Sequence, residues 1–182
     1  MCGERWIVVG NNGCGKTTLI RITSMWLRPS SGDVSLLGQE LGCADVRDLR
    51  TRIGYASEAM ANQVRDRVCA CDVVMTARNA ALEPWCHEYD EPTAALDFTA
   101  RESLVATLAD LARDVAVASM ALVTHHVEEI ADGFTDILML RDGEVVASGP
   151  LNETLTVANL STCFGRALSL ERRRGRWFAW AS

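Results

Sequence analysis

Apolar residues in this chain fall into short, separated runs, most of them bounded by turn-forming residues. Trp6-Ile7-Val8-Val9 is a continuous apolar run that predicts a buried strand, and Thr18 to Leu27 then places apolar residues at helical spacing. Pro29-Ser30-Ser31-Gly32 predicts a turn into a strand over Val34–Leu37. Asp45 is placed to N-cap a short polar helix running through Arg52, with a strand starting at Ile53-Gly54-Tyr55. Arg67 to Arg78 reads as helix, and Glu83 to Tyr89 has no clear period. Thr99 to Arg113 is an amphipathic helix with Leu104, Leu108 and Leu111 on one side. Ala118 to Val123 is the pattern of a strand buried on both faces. Val127 to Ala131 predicts further helix. Asp136–Leu140, Asp142-Gly143 and Glu144–Ala147 form a strong hairpin signal. The tail predicts a helix near Thr156–Cys163, then two short runs, Ala167–Leu170 and Trp177–Trp180, flanking an arginine-rich turn.

Composition narrows the class. With 182 residues, 48% of them apolar, the chain suits one domain or a domain with a small appendage. A net charge of −6 argues against a nonspecific nucleic-acid or anionic-membrane surface. No apolar stretch approaches membrane-spanning length, and Met1-Cys2-Gly3-Glu4-Arg5 lacks a signal-peptide pattern, so any membrane role is expected to be peripheral. Seven scattered cysteines predict reduced, cytosolic thiols. Cys69, Cys71, Cys86 and His87 lack zinc-type spacing.

One segment carries explicit chemistry. Gly10-Asn11-Asn12-Gly13-Cys14-Gly15-Lys16-Thr17 is a complete G-x-x-x-x-G-K-T loop between a predicted strand and a predicted helix. Its backbone N–H groups, those of Thr18 and the positive end of the helix dipole would face phosphate oxygens. Lys16 would reach the β/γ oxygens and the Thr17 hydroxyl would ligate Mg²⁺. Glycines allow the positive φ and close ligand approach such a loop needs. The expected ligand is a nucleoside triphosphate. Cys14 is expected to be a bystander whose oxidation would block the nucleotide.

A second block, Asp90-Glu91-Pro92-Thr93-Ala94-Ala95-Leu96-Asp97, together with the loop, resembles the Walker B end and D-loop of ABC-type ATPases. Val123-Thr124-His125 resembles their switch-histidine segment, and Leu140 to Pro150 the hairpin that follows it. Arg52 to Ser57 resembles the approach to the Q-loop. The resemblance implies a P-loop NTPase-type α/β fold, a mostly parallel sheet flanked by helices, with a small C-terminal helix plus hairpin. It divides the chain into a shortened nucleotide-binding domain at 1–152 and an appendage at 153–182. It implies Mg-ATP as ligand, with Asp90 joining Thr17 on the metal and Glu91 as general base for the attacking water. His125 would sense the γ-phosphate. Asp97 would face a second nucleotide-binding domain, and the implied partner is a membrane permease at the inner face of the cell membrane.

Departures from the family pattern bear on activity. Nothing of the LSGGQ type lies between Glu58 and Asp90, and the 31 residues separating them are too few for the family's helical subdomain and Walker B strand. Trp85 to Tyr89 replaces the four apolar residues expected before Asp90. The family's strands before the loop, with their adenine-stacking aromatic residue, are missing from this sequence. Glu58 and Gln63 are the nearest residues to the Q-loop position. The fold is therefore expected to be incomplete relative to the family, with weak hydrolysis. Two other classes stay open: a degenerate regulatory module that binds nucleotide without turnover, and a soluble ABC ATPase without a permease. A P-loop kinase or GTPase fits neither DEPTAALD nor Thr-His.

Overall fold

A computed structural model of the chain describes residues 4–42, 45–55, 98–115, 117 and 119–182. The chain divides into two compact units, one made of Met1–Lys16 and Ala95–Ser182, the other of Thr17–Ala94.

The first unit is built on a four-stranded sheet. β1 (Arg5–Gly10) lies between β4 (Met120–Thr124) and β5 (Asp136–Arg141), parallel to both, and β6 (Glu144–Pro150) pairs antiparallel with β5. The central position of β1 explains its unbroken apolar run, since Ile7, Val8 and Val9 are all buried. Register places Leu122, Ile7 and Ile137 in one row, with Thr124, Val9 and Met139 two residues on. The apolar members of these rows enter the core with Val105, Ala112, Leu151, Leu155, Leu160 and Cys163. Asp142 and Gly143 take φ of 52° and 83°, the two-residue turn that Asp-Gly predicts.

Helix α3 (Phe98–Arg113) supplies Val105 and Ala112 to this core, while Leu111 is 42% exposed. The inward face is therefore Val105, Leu108, Ala109 and Ala112: Leu108 packs on the core as expected, while Leu111 turns outward. Arg5, buried at the start of β1, fastens the end of α3. Its guanidinium donates to the carbonyls of Ala112 (2.9 Å), Asp114 (3.1 Å) and Val117 (2.6 Å). Of these, the Ala112 carbonyl belongs to the last turn of α3, where a helix C-terminus leaves carbonyls without intrahelical donors. β4 differs from the expected doubly buried strand: Ala121 is exposed, and among the described residues β4 pairs only with β1. The helix expected over Val127–Ala131 is a single 3₁₀ turn, Val127–Glu129.

After β6 come α4 (Leu151–Thr154) and α5 (Val157–Phe164), then the hairpin of β7 (Leu168–Arg173) and β8 (Arg176–Ala181). Thr156 N-caps α5 by accepting from Asn159 N at 3.2 Å, and Gly165 closes it at φ 68°. α5 packs on β5, β6 and β7, while β8 packs on the 3₁₀ turn. The arginine-rich turn of the hairpin is exposed, as expected.

The second unit begins within α1 (Lys16–Thr23). This helix is shorter than its apolar spacing suggested. Met25 takes a left-handed φ of 65°, and Trp26 N donates back to Arg21 O at 2.7 Å, a Schellman-type stop. The strand expected over Val34–Leu37 is reduced to β2 (Ser35–Leu36), which turns through Leu37 and Gly38 into β3 (Gln39–Glu40). α2 (Val46–Thr51) is capped by Asp45, whose carboxylate accepts from Arg47 N at 2.9 Å. Arg50 lies over the Trp26 ring at 4.5 Å and donates to Met25 O at 2.7 Å. Ile53 to Tyr55 form no strand. The helix expected over Arg67–Arg78 and the segment Trp85–Tyr89 lie outside the described residues.

Candidate nucleotide site

Parallel pairing of β1 with β4 gives the site its position. Val9 is opposite Thr124, so the loop after Gly10 and the turn carrying His125 leave the carboxyl ends of adjacent strands. In open α/β sheets that end is where ligands bind.

The loop's geometry follows from its glycines. Gly13 and Gly15 take φ of 79° and 98°, conformations that carry no penalty only without a Cβ. Gly10 is required for a different reason. A Cβ there would lie 2.3 Å from Leu140 O and 2.6 Å from Cys14 Sγ. Asn11, Asn12 and Gly13 are exposed, whereas Cys14 and Lys16 are buried. Lys16 Nζ donates to Gly10 O at 2.8 Å and Asn11 O at 2.9 Å, and it lies 4.0 Å from Cys14 Sγ. The ammonium is thereby held across the loop by its own backbone. Thr17 and Thr18 follow Lys16 in the first turn of α1, where N–H groups have no intrahelical acceptor.

Neighbouring elements brace the loop. Gly143 N, in the β5–β6 turn, donates to Cys14 O at 3.2 Å, and Asn11 Nδ2 donates to Phe164 O at 3.3 Å. Cys163 Sγ lies 3.4 Å from Leu140 O. Burial, and then the neighbouring Cys14 thiol, push the Cys163 thiol up to about 11, while Lys16 acts in the opposite direction.

The second wall is the segment after β4. Thr124 is fully buried; its Oγ1 donates to a carboxylate oxygen of Glu129, itself 2% exposed, and accepts from His126 N at 2.9 Å. Arg101 Nε from α3 lies 3.7 Å from the other Glu129 oxygen. This arrangement closes the turn tightly around His125 and His126, whose ring centroids are 3.7 Å apart. Outside the turn, Glu128 receives a bond from Arg176 Nη2 to its carbonyl at 2.7 Å and one from Ala179 N to its carboxylate at 3.3 Å.

The structure thus brings the loop residues Gly10 to Lys16 and His125 into one unit, at one end of one sheet. Asp90, Glu91, Asp97, Glu58 and Gln63 lie outside the described residues, as do Cys69, Cys71, Cys86 and His87. Glu129, Arg101 and Arg176 had no signal in the sequence. A buried glutamate five residues beyond a strand threonine follows no fixed spacing, and the arginine comes from the tail.

Comparison with known proteins decides the family. The model of the family described as ABC transporter matches residues 1–124. The chain belongs to the ABC transporter family. It is 28% identical to an uncharacterized ABC transporter ATP-binding protein of Bacillus subtilis, with 88% of this chain and 80% of the relative covered. That match runs over 212 positions, more than the 182 residues this chain possesses. It is 27% identical to the energy-coupling factor transporter ATP-binding protein of Lactiplantibacillus plantarum, covering 82% of this chain and 68% of that one. Among solved structures, cbiO1 of Clostridium perfringens, part of the ABC transporter complex cbiONQ, superposes with a TM-score of 0.56 at 19% identity, covering 84% and 79% of the two chains. A bacterial Atm1-family ABC exporter with ATP bound superposes with a TM-score of 0.57 at 20% identity, covering 83% of this chain and 34% of the exporter. The mixed sheet with its parallel core is thus the P-loop ATPase fold of these ABC proteins. No helix among the described residues is long and apolar enough to cross a membrane.

Proposed function

We propose that this chain is an ATP-binding subunit that energises a membrane permease from the cytoplasmic face, in a shortened form that hydrolyses ATP weakly or not at all by itself. The observation that carries the reading is the Lys16 ammonium, buried across a positive-φ glycine loop at the end of the sheet from which His125 also emerges. A di- or triphosphate fits this donor set, because a phosphate oxygen can take the weak sulfur contact of Lys16 while both carbonyl bonds persist. Lys16 and the loop N–H groups would bind the β/γ oxygens, and His125 would meet the γ-phosphate. Thr17, with Asp90, would hold Mg²⁺, which would supply positive charge to offset the negative charge of the transferred phosphate. Glu91 would accept a proton from the attacking water.

The shortened form is supported by matches to relatives that run longer than the chain itself. It is also supported by the lack of an LSGGQ-type segment between Glu58 and Asp90. In this family the signature of one subunit completes the active site of the other, so a homodimer of this chain would have two incomplete sites. The same observations favour a second reading, a regulatory module that binds nucleotide without turnover. Equilibrium dialysis with Mg-ATP, run beside a phosphate-release assay, tests both. Binding that Lys16→Ala abolishes, without steady phosphate release, is the expected result. No binding would overturn the ATP-binding reading; steady release lost in Lys16→Ala would overturn the impaired one. Coexpression with a candidate permease separates the subunit from the module, since only the subunit co-purifies with it.

A further inference from the structure

The C-terminal hairpin reaches back to the turn that carries the candidate sensing histidine, and its contacts converge on one residue. Arg176, first in β8, uses Nη2 to hold Glu128 O at 2.7 Å and pairs through Nη1 with the Glu102 carboxylate of α3. Two positions before the strand ends, Ala179 N donates to Glu128 Oε1 at 3.3 Å. The other Glu128 oxygen lies 4.0 Å from His126 Nδ1, and the His126 ring lies against that of His125, centroids 3.7 Å apart and planes tilted by 44°. The turn is also fixed by the buried Thr124–Glu129 pair, near which Arg101 of α3 lies. The fork geometry of a guanidinium suits this task, because one planar group bonds a carbonyl and a carboxylate at fixed relative angles. A 3₁₀ turn of three residues has few hydrogen bonds of its own, so its side-chain directions depend on such external ties.

We propose that Arg176 is a positioning residue for the nucleotide switch. Through Glu128 and His126 it sets the direction of the His125 ring, so that the appended hairpin is part of the device distinguishing ATP from ADP. The proposal rests on the reading of His125 as the group that meets the γ-phosphate.

Two measurements on the full chain test it. The first needs no nucleotide: ring NMR signals of His125 and His126, assigned with single His→Gln variants, are compared at one pH among wild type, Arg176→Ala, Glu128→Ala and the double variant. Both single changes should move both ring signals, and the double variant should add little to either, since the two residues act in one path. Arg173→Ala, at an exposed position of the same hairpin, should leave the rings in place. The second measurement is the ratio of ADP to ATP dissociation constants in Mg²⁺. Arg176→Ala should lower the preference for ATP by about fivefold, the scale of one lost hydrogen bond, with ADP affinity kept. Arg176→Lys, which keeps the charge but not the fork, should fall between. If Arg176→Ala does not fold, Arg176→Lys decides by the same readouts, since Glu128→Ala keeps the carbonyl that Arg176 bonds. Unmoved ring signals with only a lowered melting temperature would reduce Arg176 to a structural anchor and overturn the proposal. Rings moved by Arg176→Ala, together with a wild type that binds neither nucleotide, would sink the nucleotide reading, yet support Arg176 as the residue that orients the histidines.

Discussion

At Gly10 the backbone of β1 passes so close to Leu140 O and Cys14 Sγ that a single methyl group has nowhere to go. The Cys14 thiol is a side chain, but the Leu140 oxygen belongs to the sheet backbone, so relief requires moving backbone. Gly10→Ala is expected to cost about 3 kcal/mol of stability, measured by urea unfolding, and to abolish Mg-ATP binding in whatever folded fraction remains. Gly13 and Gly15 differ, because nothing lies within 4 Å of a Cβ there and only positive φ enforces glycine. Substitution at either should weaken binding more than stability. Cys163 provides a pH signature. Its thiol ionises near 9.0 in an unfolded chain and is pushed up to about 11 in the folded one. Between those values the unfolded chain holds fewer protons, so rising pH favours unfolding. The contribution is whole below pH 9 and is lost as pH climbs through 11, amounting to about 2–3 kcal/mol. Unfolding curves from pH 8 to 11 should therefore slope less in Cys163→Ala than in wild type. Equal slopes would mean that the buried thiol is not the group responsible.

Elements were legible where a local rule and the tertiary context agreed. Asp142-Gly143 selects a two-residue turn, and Thr156 and Gly165 bracket α5 by cap chemistry, so β5, β6 and α5 could be read before any fold was known. Asp45 likewise marked the start of α2. The misreadings arose where tertiary contacts overrode pattern. Val127 to Ala131 has a helical look, but the Thr124–Glu129 bond and the ties on Glu128 hold it to one 3₁₀ turn. Leu111 shares a row with Leu104 and Leu108, yet Ala112 turns toward the core, where Arg5 holds its carbonyl. In the loop, the backbone conformation was readable because the glycines and Lys16 act through local backbone. The bracing by Phe164 and Arg176 was not, since those contacts join residues 48 to 153 positions apart. Because α5 carries Phe164 to Asn11, its N-cap has an effect beyond its own end. Thr156→Ala should cost about 1 kcal/mol in chemical denaturation. It should also raise amide hydrogen exchange at Asn11 and Cys14; protection unchanged there would separate α5 from the loop.

At the scale of the molecule, two compact units must be stable in a chain shorter than the matches made to its relatives. Their response to nucleotide need not be equal. Gly10, Cys14, Lys16 and His125 all belong to the unit of Met1–Lys16 and Ala95–Ser182, so a ligand held by those residues acts directly on that unit's unfolding. A ligand that binds only the folded state at a hundredfold excess over its Kd adds about 2.7 kcal/mol. For a unit of about a hundred residues that corresponds to an upward shift of roughly 10 °C or more in Tm. Scanning calorimetry with Mg-ATP should therefore raise the transition that carries near-ultraviolet signal from Trp177 and Trp180, the tryptophans of the C-terminal hairpin in that unit. Substituting phenylalanine for each tryptophan in turn assigns the signal. Mg-ADP should raise the same transition by less, because His125 would lose the γ-phosphate. Lys16→Ala should remove both shifts and also lower the transition in buffer, since the buried Gly10 carbonyl loses the ammonium that bonds it. A shift that survives Lys16→Ala would place the nucleotide elsewhere on the molecule.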